Sequence, residues 1–162
     1  AAGVIACKGR DISARSQVGK YYELSTGMSG ERLAGIFVDH YKDRWSTSFR
    51  REWDGVSVQP EGYFNAPIDI RDDQLKELTV EVKRDRKRAD GVIIGKEWHR
   101  PSGANNELWD CLVYCTAALQ MIADDLCISQ LGLPQANWLE FYEHCAQEFD
   151  DGGRKRALYY RY

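Results

Sequence analysis

The segment that most restricts how this chain can fold is residues 106–126. On a wheel of about 100° per residue, Leu108, Cys111, Leu112, Cys115, Leu119 and Ile122 form one apolar stripe. The opposite face holds Val113, Tyr114, Ala117 and Met121, which is also mostly apolar. A helix apolar on both faces is predicted to be buried. Asp110 opens that second face, so an acid stands where the pattern predicts core. Carboxylates are rarely buried without a partner, and a metal ion is one such partner. A strand end at Trp98 and a turn through Pro101, Gly103 and Asn105 lead into this helix, whose first turn carries Glu107 and Asp110.

A length of 162 residues suits one domain. The net charge of −3 means that a nucleic-acid site must be a local patch. Cysteines stand at Cys7, Cys111, Cys115, Cys127 and Cys145 without a CxxC pair. Cys111 and Cys115 share a helical face, which predicts core thiols in a reducing cytosol. Asp110, Gln120, Asp124 and Asp125 interrupt the most apolar window, which argues against a membrane span. The first residues, Gly3-Val-Ile-Ala-Cys7, already read as a strand, as expected of a piece of something longer.

Further along, residues 10–30 are polar and rich in Gly and Ser and are predicted to be a loop. Residues 33–38 form a second apolar strand pattern, followed by a helix over 40–53 with Asp39 as its N-cap. Residues 55–59 alternate as a strand ending at Pro60, and 69–78 read as a short helix with Leu75 and Leu78 facing inward. Residues 79–84 and 92–98 predict a hairpin about a polar turn containing Gly91. A last amphipathic helix covers 137–149, before a basic, aromatic tail. Strands interleaved with helices place the chain in the α/β or α+β class.

Asp110 can be read as a metal-bound carboxylate at a helix start or as an acid favoured there by the helix dipole. Glu107 is a possible second ligand or an ordinary capping partner. Asp39, after a buried strand, is a possible third acid at a strand's carboxyl end. Lys8 occupies the same kind of position after the first strand and could meet a phosphate. Lys83, Arg84, Arg86, Lys87 and Arg88, with Lys96, His99 and Arg100 on the return strand, make a basic hairpin. Clustered cations of this kind neutralise backbone phosphates, and a solvated hairpin tip has the same composition. Placed directly before the Asp110 helix, they would hold DNA over that acid. The triplet Glu81-Val-Lys83 alone fits an acid-x-Lys nuclease signature, since Ala6-Cys7-Lys8 lacks the acid. His40, His99 and His144 show no zinc spacing, and neither a Walker loop nor a GxSxG elbow occurs.

The stretch Trp98-His-Arg-Pro-Ser-Gly-Ala-Asn-Asn-Glu-Leu-Trp-Asp-Cys-Leu-Val-Tyr-Cys-Thr-Ala-Ala resembles the end of the nuclease domain of lambda-type phage terminase large subunits. Val4-Ile-Ala-Cys-Lys-Gly9, Ile36-Phe-Val-Asp-His-Tyr-Lys42, Tyr63-Phe64 and Gln74-Leu-Lys-Glu-Leu-Thr-Val-Glu81 fall in the same order as that family's segments. The resemblance covers about residues 3–120 and is most specific over 106–114. It implies a ribonuclease H-like mixed sheet flanked by helices, with a basic β-hairpin and a C-terminal helical extension. It also implies a Mg²⁺- or Mn²⁺-dependent endonuclease that cuts concatemeric double-stranded DNA during packaging. Asp110 matches the carboxylate of the last catalytic helix, with Glu107 its companion, and Asp39 is carried as a further member of the acid cluster. The family's opening strand, with its first catalytic Asp, would precede Val4, and Leu108 stands where a small residue is usual. The division expected is a nuclease domain over 1–127 and a helix and tail over 128–162. The partners implied are the terminase ATPase domain, the small subunit and, through the tail, the portal protein, in the cytoplasm of an infected bacterial host. The alternative is a non-catalytic module binding DNA or the portal.

Overall fold

The computed structural model describes residues 5–10 and 21–150, with side chains to 147. The apolar run Leu33-Ala-Gly-Ile-Phe37 becomes strand β3 (Arg32–Phe37), whose last four residues are buried. Strand β1 (Ile5–Arg10) pairs with it in parallel, and β2 (Tyr22–Thr26) pairs with it antiparallel on the other side, giving the order β1-β3-β2. Strand β2 lies in the segment predicted to be a loop; its Tyr22-Glu-Leu-Ser-Thr26 sequence alternates, but over only five mostly exposed residues, too short a signal within a polar stretch. Residues 11–20 of that predicted loop, the strand start before Ile5 and the tail beyond 150 lie outside the described residues.

β3 passes straight into helix α1 (Val38–Phe49), with Phe37 as N-cap. Asp39 is therefore inside the first turn rather than at the cap, because the apolar strand residues extend the regular structure up to the helix. Gly9 of β1 sits where a Cβ would come within 3.0 Å of Val38 Cγ2 and 3.2 Å of Tyr114 Oη, so a larger residue here would press both side chains back by a few tenths of an ångström.

The strand predicted at 55–59 is absent. Asp54 Oδ1 accepts hydrogen bonds from the backbone N–H groups of Val56 and Ser57 and from Ser57 Oγ. That local side-chain bonding bends the chain into a turn and leaves Val56 and Val58 exposed. Helix α2 (Asp72–Thr79) follows, with Leu78 buried and Leu75 more exposed than predicted. β4 (Val82–Lys87) and β5 (Ile93–His99) form the expected hairpin, closed through Gly91 at φ 85°. The hairpin is a separate two-stranded sheet, so the architecture is mixed α/β with helices and two small sheets, the three-stranded one combining parallel and antiparallel pairing.

The long helix α3 (Glu107–Asp125) packs on the three-stranded sheet. Ala34 and Ile36 of β3, Tyr41 of α1, and Val113 and Ala117 of α3 form the main core. The apolar stripe on the other face is not buried: Cys111 and Cys115 are exposed, and Leu119 and Ile122 are each 38 % exposed. A small sheet covers one side of a helix, and the face bearing Val113 and Ala117 took that side. With the π turn that follows it (Leu126–Gln130), α3 is long and apolar enough to cross a membrane by length and composition. Its buried residues are spent here on the protein's own core. A second cluster of Ala123, Leu126, Cys127 and Phe141 seats helix α4 (Trp138–Asp150) against the end of α3.

The core carries two perturbed phenols. Burial, then the negative charge of Asp124, pushes Tyr41 from 10.0 up to about 12. Burial and its 2.7 Å hydrogen bond to Asp124 push Tyr22 upward as well. Both hold their protons more tightly folded than unfolded, so their contribution is complete below pH 10 and is lost as pH rises through about 12. Urea unfolding should show a stability flat up to about pH 10 and falling between about pH 10 and 12, with a shallower fall in Tyr41→Phe. An equally steep fall in that variant would remove Tyr41 from the account.

Candidate active site

Three segments far apart in sequence, around Lys42, Glu81 and residues 100–110, converge at the start of α3. Lys42, on α1, reaches inward and is buried, its side chain 9 % exposed. Its Nζ lies 2.7 Å from Glu81 Oε2 and 3.6 Å from Asp110 Oδ1. Glu81 stands between α2 and β4 with its side chain 4 % exposed, whereas that of Asp110 is 42 % exposed. Asn106, the buried N-cap residue of α3, makes no side-chain cap. Its Nδ2 instead donates to Glu81 Oε1 at 2.7 Å and to Asp110 Oδ2 at 3.1 Å, while its Oδ1 accepts from Arg100 Nη1 at 2.8 Å. The amide thus uses both donors and its acceptor on the cluster.

The capping work passes to Glu77 of α2. Its Oε2 accepts from the backbone N–H of Leu108 at 3.1 Å and its Oε1 from Asn105 Nδ2 at 2.8 Å. A carboxylate here also suits the positive end of the helix dipole. Trp109, buried behind Asp110, packs on Phe49 and Trp98. The result is one carboxylate, Asp110, held from within by an ammonium and an amide and open to solvent on its outer side.

Asp43, next to Lys42 on α1, faces the hairpin. Its carboxylate takes Lys83 Nζ at 2.5 Å and Trp98 Nε1 at 3.0 Å, pinning the root of β4 and β5. The triplet Glu81-Val-Lys83 is therefore split: Glu81 pairs inward with Lys42, and Lys83 pairs outward with Asp43. Residues 82–100 carry seven basic and three acidic side chains. Arg84 pairs with Glu97, Lys96 with Asp85 and Arg88 with Asp90, all on exposed surface. Such pairs contribute about 0–1 kcal/mol each, so exchanging a carboxylate for a phosphate costs little. Arg86 and Lys87 have no acidic partner among the described residues and stand on the fully exposed strand β4. His99 is half-buried opposite Val82.

Of Asp110, Glu107 and Asp39, only Asp110 is in the converged cluster; Glu81, singled out in the sequence only for the acid-x-Lys triplet, is there too, bonded to Lys42 and Asn106. Glu107 is exposed in the same turn, where its backbone N–H donates to Asn105 Oδ1. Asp39 is half-buried on α1, three residues before Lys42 and hence on a neighbouring part of the same face. Lys8 is exposed on β1. Lys42, Glu81, Asn106 and Asp43 were missed as site residues. Lys42 and Glu81 each end a segment shared with the terminase pattern, which is a signal for them, but nothing local joins two residues 39 positions apart.

A divalent ion such as Mg²⁺ takes six oxygen ligands, one or two of them carboxylates and the rest waters or substrate phosphates, and each carboxylate must turn a free oxygen to it. Among the described residues, no three His, Cys, Asp or Glu side chains converge as a metal-holding group. Glu81 and Asp110 share an ammonium and an amide instead, so these residues alone do not fit the metal that the terminase pattern implies.

Residues 1–131 match the family model of the terminase large subunit gpA endonuclease domain. No curated protein and no solved structure matches the chain. The match extends over all the residues that meet at Asp110, and the chain belongs to the terminase large subunit gpA endonuclease domain family.

Proposed function

We propose that this chain is the part of a DNA-packaging endonuclease that presents Asp110 to the scissile phosphate and grips the duplex through the hairpin. One observation carries this reading: a half-exposed carboxylate is held by buried Lys42 and Asn106, both fixed in turn by Glu81, at the foot of a basic hairpin. Arg100, at the end of that hairpin, bonds the same asparagine that bonds the acid. The reaction is hydrolysis of a phosphodiester of concatemeric double-stranded DNA: a water oxygen bonds to phosphorus and the bond to the leaving alkoxide breaks. Lys83, Arg84, Arg86, Lys87, Arg88, Lys96, His99 and Arg100 supply affinity for backbone phosphates without sequence choice. The open side of Asp110 accepts hydrogen bonds at the reacting centre, with Glu107 and Asp39 as flanking acids.

Mg²⁺ or Mn²⁺ is the cofactor proposed on the ground of family membership; Asp110 would face it, and the remaining ligands would have to come from outside the described residues. On the same ground we propose a ribonuclease H-like core over 1–127. An extension over 128–162 would dock on the portal protein, and the ATPase domain and small subunit would be further partners in the cytoplasm of an infected bacterium. Exposed Leu139 and Tyr142 on α4 favour a docking role for that extension. They also support a second reading, in which the chain binds DNA or the portal without cutting.

Plasmid cleavage by the terminase large subunit in Mn²⁺, against the same protein with Asp110→Ala, tests the primary reading. No cutting by the unaltered subunit would leave the binding reading. The grip has its own test in salt-dependent duplex binding. Removing Arg86 and Lys87 together as alanines should flatten the slope of log affinity against log salt by about 2, close to one unit per lost phosphate contact. An unchanged slope would exclude the hairpin from the DNA interface.

A further inference from the structure

We propose that Lys42 is a built-in cation at the Asp110 centre. Its ammonium holds the place that a metal ion would take between Glu81 and Asp110, which makes Glu81 a positioning residue and not a metal ligand. All four oxygens of the two carboxylates face Lys42 or Asn106: Glu81 Oε2 and Asp110 Oδ1 the amine, Glu81 Oε1 and Asp110 Oδ2 the amide. Glu81 is almost fully enclosed and both its oxygens are taken within 2.7 Å. Asp110 is held more loosely, at 3.6 Å and 3.1 Å, and keeps an open side. Two carboxylates this close repel one another unless a positive charge lies between them. Lys42 supplies that charge from within the protein, so Asp110 keeps its orientation whether or not anything is bound at its outer side. The arrangement also closes the inner side to a divalent ion, since an ammonium and a metal cannot share one position.

Mn²⁺ binding to this chain, read by titration calorimetry and by the Mn²⁺ paramagnetic resonance signal, tests the proposal without any cleavage assay. Replacing the amine in Lys42→Met removes the competing charge from between the two acids. It should raise Mn²⁺ affinity at least about tenfold, because a unit charge at contact distance is worth more than that factor. The same variant should lose thermal stability in metal-free buffer and regain part of it in Mn²⁺, whereas Lys42→Arg should show neither effect. With Lys42 in place, Glu81→Asp, which keeps the charge and shortens the reach, should leave whatever Mn²⁺ affinity exists within about twofold. A tenfold loss of affinity in Glu81→Asp would overturn the proposal by making Glu81 a ligand. No gain in Lys42→Met would overturn it by showing that the pair does not form a cation place. Where Lys42→Met fails to fold in metal-free buffer, refolding yield with and without Mn²⁺ gives the same reading, and the Glu81→Asp comparison stands independently.

Discussion

Asp110→Ala should reduce Mn²⁺-dependent plasmid cleavage by the terminase large subunit by more than about 100-fold. A positioned carboxylate acting on a proton at the reacting centre contributes about 10²–10⁴-fold. The loss should not come from unfolding. Asp110 is 42 % exposed on its side chain, and its removal leaves Lys42 with Glu81 and Asn106 with both Glu81 and Arg100. Asp110→Asn makes the distinction sharper. Its amide oxygen can still accept from Asn106, so the hydrogen bond survives while the charge is lost. Circular dichroism and duplex affinity should match the unaltered protein for both variants while cutting disappears. Cutting that persists in Asp110→Asn at more than one-tenth of the original rate would remove the carboxylate from the reaction and return α3 to a purely structural role.

The largest stability effect is expected one residue earlier. Trp109 is 2 % exposed and fills the space between α1, the hairpin root and α3, with ring centroids 5.6 Å from Phe49 and 6.0 Å from Trp98. Trp109→Ala should cost about 3–5 kcal/mol in urea unfolding, since it deletes the ring and leaves a cavity. For a chain of this size that corresponds to a fall in Tm of roughly 6–20 °C. The indole Nε1 is buried without a hydrogen-bond partner. Trp109→Phe should therefore cost much less, because losing an unsatisfied buried N–H offsets part of the lost packing. A phenylalanine as damaging as alanine would mean that the indole finds a partner in solution. A loss under about 1 kcal/mol in Trp109→Ala would mean that the hairpin root is not packed on α3 as described.

The hairpin and α3 were legible because each is specified locally. Polar turn residues with Gly91 between two strand-like runs, and an apolar period over about twenty residues, are properties of neighbouring positions. The segment of residues 106–114 was legible as a terminase pattern for the same reason. The helix wheel failed at the next step. Both faces of α3 are apolar, and the pattern cannot say which one a sheet will cover; β3 covers Val113 and Ala117 and leaves Cys111, Cys115, Leu119 and Ile122 outward. At residues 55–59 the alternation of Val56 and Val58 gave way to a competing local bond from Asp54.

Sequence by itself determined the family, the basic hairpin, the central apolar helix and the place of Asp110 in its first turn, because motif order, charge runs and periodicity are written along the chain. Only the tertiary structure decided what surrounds that acid. Lys42 and Glu81 are 39 positions apart, and Asn106 gives up capping its own helix to bond both acids. A buried charge has to find its counter-charge wherever the fold brings one, and local sequence holds no record of that meeting.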